Sequence, residues 1–177
     1  VWRNVTERTG LVMDPEAQRM HGRSGNVTIE ISAERRDADY WLVAKLGWPS
    51  LGLDLDVCER RWTDALATDL VKSGNERVDA RLSVRAREHA QAKAVAAPDV
   101  LLPLLAFEEV TLGDAGGQLA VRGASHVMAK LEAFVRSVLE AASSLDGAAR
   151  RVPPPALFAA DVAAWEALAA RLRGRLE

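Results

Sequence analysis

The sequence predicts an α+β fold, in which a single antiparallel sheet has its helices mainly on one face. Three observations support this fold class. Apolar and polar residues alternate over several short stretches, glycine-containing turns separate those stretches, and a long stretch with helical spacing follows the last turn. We expect the order α-β-β-β-(β)-α-β-β-α, followed by an amphipathic helix at the C-terminal end.

A short helix is predicted at the start of the chain. Trp2, Val5 and Thr9 follow helical spacing, and Gly10 tolerates the positive φ with which many helices end. A connecting stretch then leads to three segments that alternate like half-buried strands. The alternation covers residues 26–33, 40–46 and 51–58. Because the links between these segments are short, we expect an antiparallel meander of three neighbouring strands.

In the middle of the chain, turn-forming residues and a proline that ends a helix predict the secondary structure. Residues 63–72 are ambiguous between a short helix and an edge strand, and we expect irregular structure that ends in a strand. The Gly74-Asn75 pair predicts a turn before a strand at 81–86. Residues 87–97 are rich in alanine and favour a helix that Pro98 ends, and a short helix or turn is expected at 99–106.

A hairpin and a long helix complete the sheet domain. The glycine-rich segment 113–117 lies between two short apolar stretches and predicts a tight hairpin. Ser125 is a candidate N-cap of the helix that follows, and Gly147 is its predicted end. The apolar face of this helix comprises Val127, Leu131, Phe134, Val135, Val138 and Leu145.

We divide the chain into an α+β domain (1–147), a proline-rich linker (148–156) and a C-terminal amphipathic helix (157–177). Consecutive prolines favour an extended spacer. An isolated helix of this length is marginally stable in water, so its apolar stripe must contact its own domain or a partner chain. The stripe is the candidate protein contact, formed by Trp165, Leu168, Leu172 and Leu176.

Composition limits the classes of function. The 177 residues are 49% hydrophobic and 27% charged, which excludes global disorder, and a net charge of −2 gives no basic excess for nucleic acid. Cys58 is the only cysteine, so no intramolecular disulfide can form, and we expect a cytoplasmic location. The apolar stretches fall short of the roughly 20 residues that span a bilayer. Because Val1 opens the chain without a methionine, we expect that it was cut from a longer protein.

Candidate catalytic and metal-binding residues are few and scattered. His21, His89 and His126 have no metal-ligand spacing, and Cys58 has no base near it in the sequence. Asp54 and Asp56 share one face of a predicted strand, and we expect that face to be exposed to solvent with both carboxylates solvated. We therefore expect no catalytic residue, no cofactor and no metal. Trp41 and Trp48 are candidates for an exposed aromatic patch, since exposed aromatic residues often anchor interfaces.

The chain resembles a widespread, uncharacterised bacterial α+β domain over about residues 1–147. The features that carry the resemblance are the opening tryptophan helix, the glycine turn into a Val/Ile strand at 22–31, the turn Gly74-Asn75-Glu76-Arg77-Val78-Asp79 and the closing hairpin and helix. The turn of that family usually reads Gly-Asp-x-x-Phe-Asp, from which Asn75 and Val78 depart. The order of elements is also similar, more loosely, to that of type III secretion chaperones. These motifs are turn and core signals and imply no catalytic residue.

The leading hypothesis is a non-enzymatic protein-binding or scaffolding module of a bacterial cytoplasmic protein. Its partner is another protein or a second copy bound through the C-terminal helix. One alternative is a small-molecule sensor, or an unrecognised enzyme, with a pocket between the sheet and its helices. A second alternative is a structural module excised from a larger multidomain chain.

Overall fold

The computed structural model describes residues 1–123, 128–153 and 165–169. Five α-helices and eight strands follow one another in the described part of residues 1–151. In chain order they are α1 (Trp2–Thr9), β1 (Val12–Asp14), β2 (Arg19–Ser24), β3 (Val27–Arg36), β4 (Asp39–Gly47), β5 (Asp56–Glu59), α2 (Glu76–Arg81), β6 (Leu82–Arg85), α3 (His89–Ala96), α4 (Pro98–Leu101), β7 (Glu109–Leu112), β8 (Gly116–Arg122) and α5 (Met128–Arg151). Single turns of 3-10 helix lie at Trp62–Leu66 and Leu102–Ala106.

The strands form one antiparallel sheet in the order β1-β2-β3-β4-β8-β7-β5-β6. Alternating side chains from neighbouring strands meet on one face: Ile29 lies opposite Leu46, and Ala44 lies opposite Leu119. This apolar face contacts α5, which in turn contacts α1, α3 and α4. The predicted fold class, an α+β protein with one antiparallel sheet and helices mainly on one face, is confirmed.

Helix α5 supplies one side of the core. The predicted apolar positions from Leu131 to Leu145 are buried, and Ser125 and Val127 lie outside the described residues. Ala141, Ala142 and Ala148 are also completely buried, and their small side chains allow the helix to lie close to its neighbours. The aromatic contact of this helix is an edge-to-face pair between Phe134 and Phe107, with ring centroids 5.8 Å apart.

The sequence interpretation missed the first two strands, because it treated the segment before Asn26 as a connection. Most side chains of β1 and β2 are exposed, and the sequence of β2 contains only one large apolar residue, so it lacks the apolar–polar alternation that predicts a half-buried strand. Met20 is the buried exception and lies opposite Ile31 on the apolar face. Pairing of β1 with β2 and of β2 with β3, rather than hydrophobic patterning, defines these two strands.

The predicted meander of three neighbouring strands is wrong beyond β4. Strands β8 and β7 lie between β4 and β5, so the chain crosses both of them after Gly47. The third strand is also shorter than expected, since residues 51–55 precede β5 rather than belong to it. Leu53 and Leu55 are buried as in a strand, but their N–H groups donate to a side chain, at 2.9 and 3.0 Å from Asp114 Oδ1.

Asp114 therefore fixes the connection between β4 and β5. It lies in the β7–β8 turn, and its backbone carbonyl accepts hydrogen bonds from Leu51 N–H at 3.1 Å and from the Trp48 indole at 3.0 Å. Burial raises the pKa of the Asp114 carboxyl, but the N–H donors of Leu55, Leu53 and Asp54 outweigh this effect and lower it. One ionised aspartate thus replaces the strand partners that residues 51–55 lack.

A helix, α2, lies where a turn was predicted before the strand at 81–86. The Asn75 side chain caps this helix by accepting the N–H groups of Arg77 and Val78, and Gly74 has a φ of +80°. Strand β6 then occupies the centre of the predicted stretch.

The expectations for 87–106 are confirmed: Pro98 separates α3 from α4, and a 3-10 turn follows. Residues 63–72 contain a 3-10 turn and one isolated bridge, from Leu70 to Arg85.

Gly147 does not end α5, as the sequence interpretation expected. The helix continues to Arg151, so the first four residues of the predicted 148–156 linker are helical. Gly147 has helical neighbours on both sides, and Ala148 directly after it is completely buried. In this setting the glycine alone is not a strong enough signal to end the helix. After the helix, the Pro153 carbonyl accepts a hydrogen bond of 2.7 Å from the Gln91 amide of α3. This hydrogen bond ties the residues directly after α5 to α3.

We predict that Gly147→Ala stabilises the protein by about 1 kcal/mol, because alanine loses less conformational freedom than glycine in a helix interior. A Cβ at this position would meet no neighbouring atom within 4 Å. Gly10→Ala is the matched control, since Gly10 also has open space but a φ of +72°, and we expect it to lose about 1 kcal/mol. Urea unfolding measures both, and a loss of stability in Gly147→Ala would contradict the observed helix end.

We predict that Asp114→Ala lowers the free energy of unfolding by about 1–3 kcal/mol, because the N–H groups of Leu53 and Leu55 lose their acceptor. Asp114→Asn should lose less, since its amide oxygen can still accept. Asp39→Ala is the control; its exposed carboxylate forms one surface ion pair, to Arg122, and should change stability by less than about 1 kcal/mol. Equal losses in Asp114→Ala and Asp39→Ala would refute the anchoring role of Asp114.

Candidate functional site

Four side chains form a cluster on the sheet face turned away from α5, which we name the Trp41 cluster. The guanidinium carbons of Arg36 and Arg122 lie 5.1 and 5.4 Å from the centroid of the Trp41 ring. Arg36 also forms an ion pair of 2.6 Å with Glu109, and this hydrogen bond raises the pKa of Arg36. The half-buried Trp41 ring is therefore held by two cations on the polar face of the sheet.

The Trp41 cluster covers a small apolar centre on this polar face. Val43 and Ala120 lie opposite each other in β4 and β8 and are completely buried. Trp41 and Arg122 form the next pair on the same face, and Glu109 lies opposite Ala120. Because long side chains surround two short ones, water is excluded from the centre. The cluster thus has a structural use that needs no ligand.

A second group of charges surrounds Arg85 at the β6 edge of the sheet. Its guanidinium binds the buried carboxylate of Asp64 and lies 3.9 Å from Asp56 and 3.6 Å from Asp69. The Arg61 N–H also donates to Asp64, at 2.7 Å. These contacts attach the 3-10 turn at Trp62–Leu66 to the sheet.

Hydrogen bonds keep Asp64 ionised although its side chain is only 1% exposed. The Arg61 backbone donor lowers the pKa of Asp64 most, burial opposes this effect, and the Arg85 guanidinium lowers the pKa further. The result is a pKa below the ordinary value of 3.8. At neutral pH the carboxylate is a fixed anion, which suits an attachment point better than a group that exchanges protons.

Cys58 lies on the polar face, half-buried, beside this second group. Its Sγ lies 3.4 Å from Ser83 Oγ and 4.0 Å from Asp56 Oδ2. Asp54 does not share a strand face with Asp56, because Asp54 precedes β5, has a φ of +50° and binds Arg87. Both aspartates are exposed, as expected of solvated carboxylates.

The histidines do not converge in the described part of the chain. His21 lies on β2, whereas His89 begins α3 and has its Nε2 3.0 Å from the Asp69 carbonyl oxygen. His126 lies outside the described residues. Within residues 1–123, 128–153 and 165–169, no three His, Cys, Asp or Glu side chains are arranged to hold a metal ion. In the same residues, no helix has the length and apolar character that a membrane span needs.

The predicted protein contact is described in part. Residues 165–169 are helical, Trp165 is 70% exposed, and Leu168 is 46% exposed. Their spacing of three places both side chains on one side of the helix. Leu172 and Leu176 lie outside the described residues.

Trp41 and Trp48 do not form the common aromatic patch that the sequence suggested. Trp41 lies on the polar face, whereas Trp48 packs against the core on the helical side. Strand β4 separates them, and six intervening residues in an extended chain span more than about 20 Å.

A pocket that sequence reasoning did not locate lies next to Trp48, between the sheet and the helices. It measures about 220 Å³. Its lining comes from the β2–β3 turn, the segment after β4, α3 and the end of α5. The residues are Asn26, Val27, Trp48, Pro49, Ser50, Leu51, Val95, Leu145, Asp146, Ala149 and Arg150. The available signal was the Asp146–Arg150 spacing of four, which predicts an ion pair on a helix but not its neighbours.

We predict that Asp64→Asn destabilises the protein at neutral pH, and that this loss shrinks in acid. Because the folded chain lowers the pKa of Asp64, the ionised carboxylate stabilises the fold fully above the ordinary value of 3.8, and this contribution is lost as the pH falls through the folded-state pKa. Thermal unfolding at pH 7 and at low pH measures the difference. Asp69→Asn is the control, since its exposed carboxylate faces the same Arg85. If both variants behave alike at pH 7, Asp64 is not the attachment point.

Three comparisons with known proteins were negative: no protein-family model, no curated protein and no solved structure matches the chain. The family resemblance described above therefore rests on its own residues and motifs. The candidate sites in the described residues are the exposed pair Trp165 and Leu168, the two charged groups and the pocket.

Proposed function

We propose that this chain is a non-enzymatic protein-binding module that works in the bacterial cytoplasm. Its contact is the apolar stripe of the C-terminal segment, which begins with Trp165 and Leu168 and continues in sequence with Leu172 and Leu176. The observation that carries the proposal is the exposure of Trp165, 70%, together with that of Leu168, 46%.

The chemistry of these two residues favours a protein partner. Tryptophan is among the residue types that contribute most to binding energy at interfaces, and leucine adds apolar area beside it. An amphipathic helix binds most readily in an apolar groove, into which side chains spaced by three and four residues insert. We therefore expect the partner, whether another protein or a second copy of this chain, to present such a groove.

Several contacts within the domain support a binding role over catalysis. Arg36 and Arg122 flank the Trp41 ring, and Arg85 neutralises the buried Asp64. The charged groups of both clusters are thus bonded to one another in ways that stabilise the fold. Cys58 has a hydroxyl and an exposed carboxylate as polar neighbours, which differs from the paired base of a catalytic thiol.

We predict that the double variant Trp165→Ala/Leu168→Ala weakens partner binding by about tenfold or more, because both anchoring side chains are removed. Glu166→Gln, an exposed change on the same helix, is the matched control and should bind normally. Sedimentation velocity over a range of concentrations tests a second copy as partner. To test other proteins as partners, the unchanged chain, the double variant and Glu166→Gln are each immobilised, and the proteins that they capture from cell lysate are identified by mass spectrometry.

The thermal midpoint of each variant distinguishes the proposal from internal packing. A contact made with a partner leaves the unfolding of residues 1–153 unchanged when Trp165 and Leu168 are replaced. A clear fall in the thermal midpoint of the double variant, with no change in bound proteins or in self-association, would overturn the proposal. It would mean that Trp165 and Leu168 pack on the surface of their own domain.

A further inference from the structure

The pocket beside Trp48 has the form of a small-molecule site. Its buried wall consists of Val27, Val95 and Leu145, which are at most 6% exposed. Trp48 and Leu51 close another side and are half-buried against the same core. A mostly apolar pocket that is partly open to solvent is the usual form of a site for a small organic ligand.

The volume sets the size of that ligand. The pocket holds about 220 Å³, whereas an engineered apolar cavity of about 150 Å³ in another protein binds benzene. A single ring, or a branched chain of similar size, therefore fits with room for one polar group.

The polar group of the ligand would meet the end of α5. Asp146 is only 9% exposed, and its two carboxylate oxygens accept the Asn26 N–H at 2.9 Å and the Arg150 guanidinium at 2.6 Å. Gly25, with a φ of +58°, lets the β2–β3 turn lie directly against this carboxylate, since a Cβ there would overlap it. Asp146 is thus the buried residue of the Asp146–Arg150 ion pair.

Arg150 is the exposed partner, because 66% of its side chain is accessible. One of its nitrogens binds Asp146, and the remaining N–H groups have no acceptor among the residues that the structure describes. Asp146 and Arg150 are the only charged residues that line the pocket in the described part of the chain. The accessible charge at the mouth is therefore positive, and a guanidinium binds a carboxylate in preference to other single polar groups.

We propose that this pocket binds a small monocarboxylic acid with an aromatic or branched apolar body. The apolar body occupies the space between Trp48, Val95 and Leu145, and the carboxylate binds Arg150. Neither Trp165 nor Leu168 lines the pocket, so this proposal does not rest on the protein-binding function proposed above.

The test is an NMR titration of the ¹⁵N-labelled chain with three probes that share a benzene ring: phenylacetate, benzyl alcohol and phenethylamine. We expect phenylacetate to give saturable shifts at the Trp48 indole N–H and at the backbone amides of Leu51 and Ala149. Its affinity should exceed that of benzyl alcohol by about tenfold, which is the effect expected of one charge-assisted contact. Phenethylamine should bind most weakly.

Two variants assign the carboxylate to Arg150 and the ring to the pocket. Arg150→Gln should remove the tenfold advantage of phenylacetate and leave benzyl alcohol unchanged. Arg151→Gln is the matched control, because the neighbouring arginine binds Asp99 and does not line the pocket. Ala149→Phe should fill the space and abolish binding of all three probes; if it does not fold, Ala149→Leu replaces it.

Three results would overturn the proposal. The first is the absence of saturable shifts at Trp48 and Ala149 for every probe. The second is tighter binding of phenethylamine than of phenylacetate, which would mean that Asp146, and not Arg150, binds the polar group and that the ligand is a cation. The third is phenylacetate binding that Arg150→Gln and the filling variant leave unchanged, which would place the probe elsewhere on the surface.

Discussion

The fold depends on how the chain passes from β4 to β5. Two strands from later in the sequence occupy the space between them, so this connection must cross the end of the sheet with buried leucines but no strand beside it. Asp114 solves the problem, because one carboxylate and one carbonyl accept N–H groups from the crossing segment. The same contacts hold Trp48 in place. The crossing segment and one wall of the pocket are therefore held by the same turn residue.

Helix α5 is the second organising element, and it serves two purposes along its length. Its first half buries large side chains, including Phe134, against the sheet. Its second half buries Ala141, Ala142 and Ala148, and the half-buried Ala149 lines the pocket together with Leu145 and Trp48. The same helix thus contributes both to the filled core and to the wall of the pocket.

Local patterns were sufficient for much of this architecture and insufficient for the rest. Strands β3 and β4, the β7–β8 hairpin and the buried face of α5 were predictable, because each has a clear period of two or 3.6 residues. Strands β1 and β2 were missed because their side chains are mostly polar, and the insertion of β8 and β7 was missed because it depends on contacts distant in sequence. The pocket could not be located for the same reason, since its lining comes from four separate segments. Trp165 and Leu168 could be selected as candidates because their chemistry and spacing are local, and their role as a protein contact stays a prediction.

The hydrogen bond from Gln91 to Pro153 holds the residue before the C-terminal segment against α3. Twelve peptide bonds connect Pro153 to Trp165, so the Cα atoms of these two residues lie at most about 43 Å apart, whatever path the chain takes between them. A partner bound through Trp165 and Leu168 must therefore lie within that distance of the end of α5, plus the length of the side chains. The covalent connection thus limits which part of the domain such a partner can contact a second time.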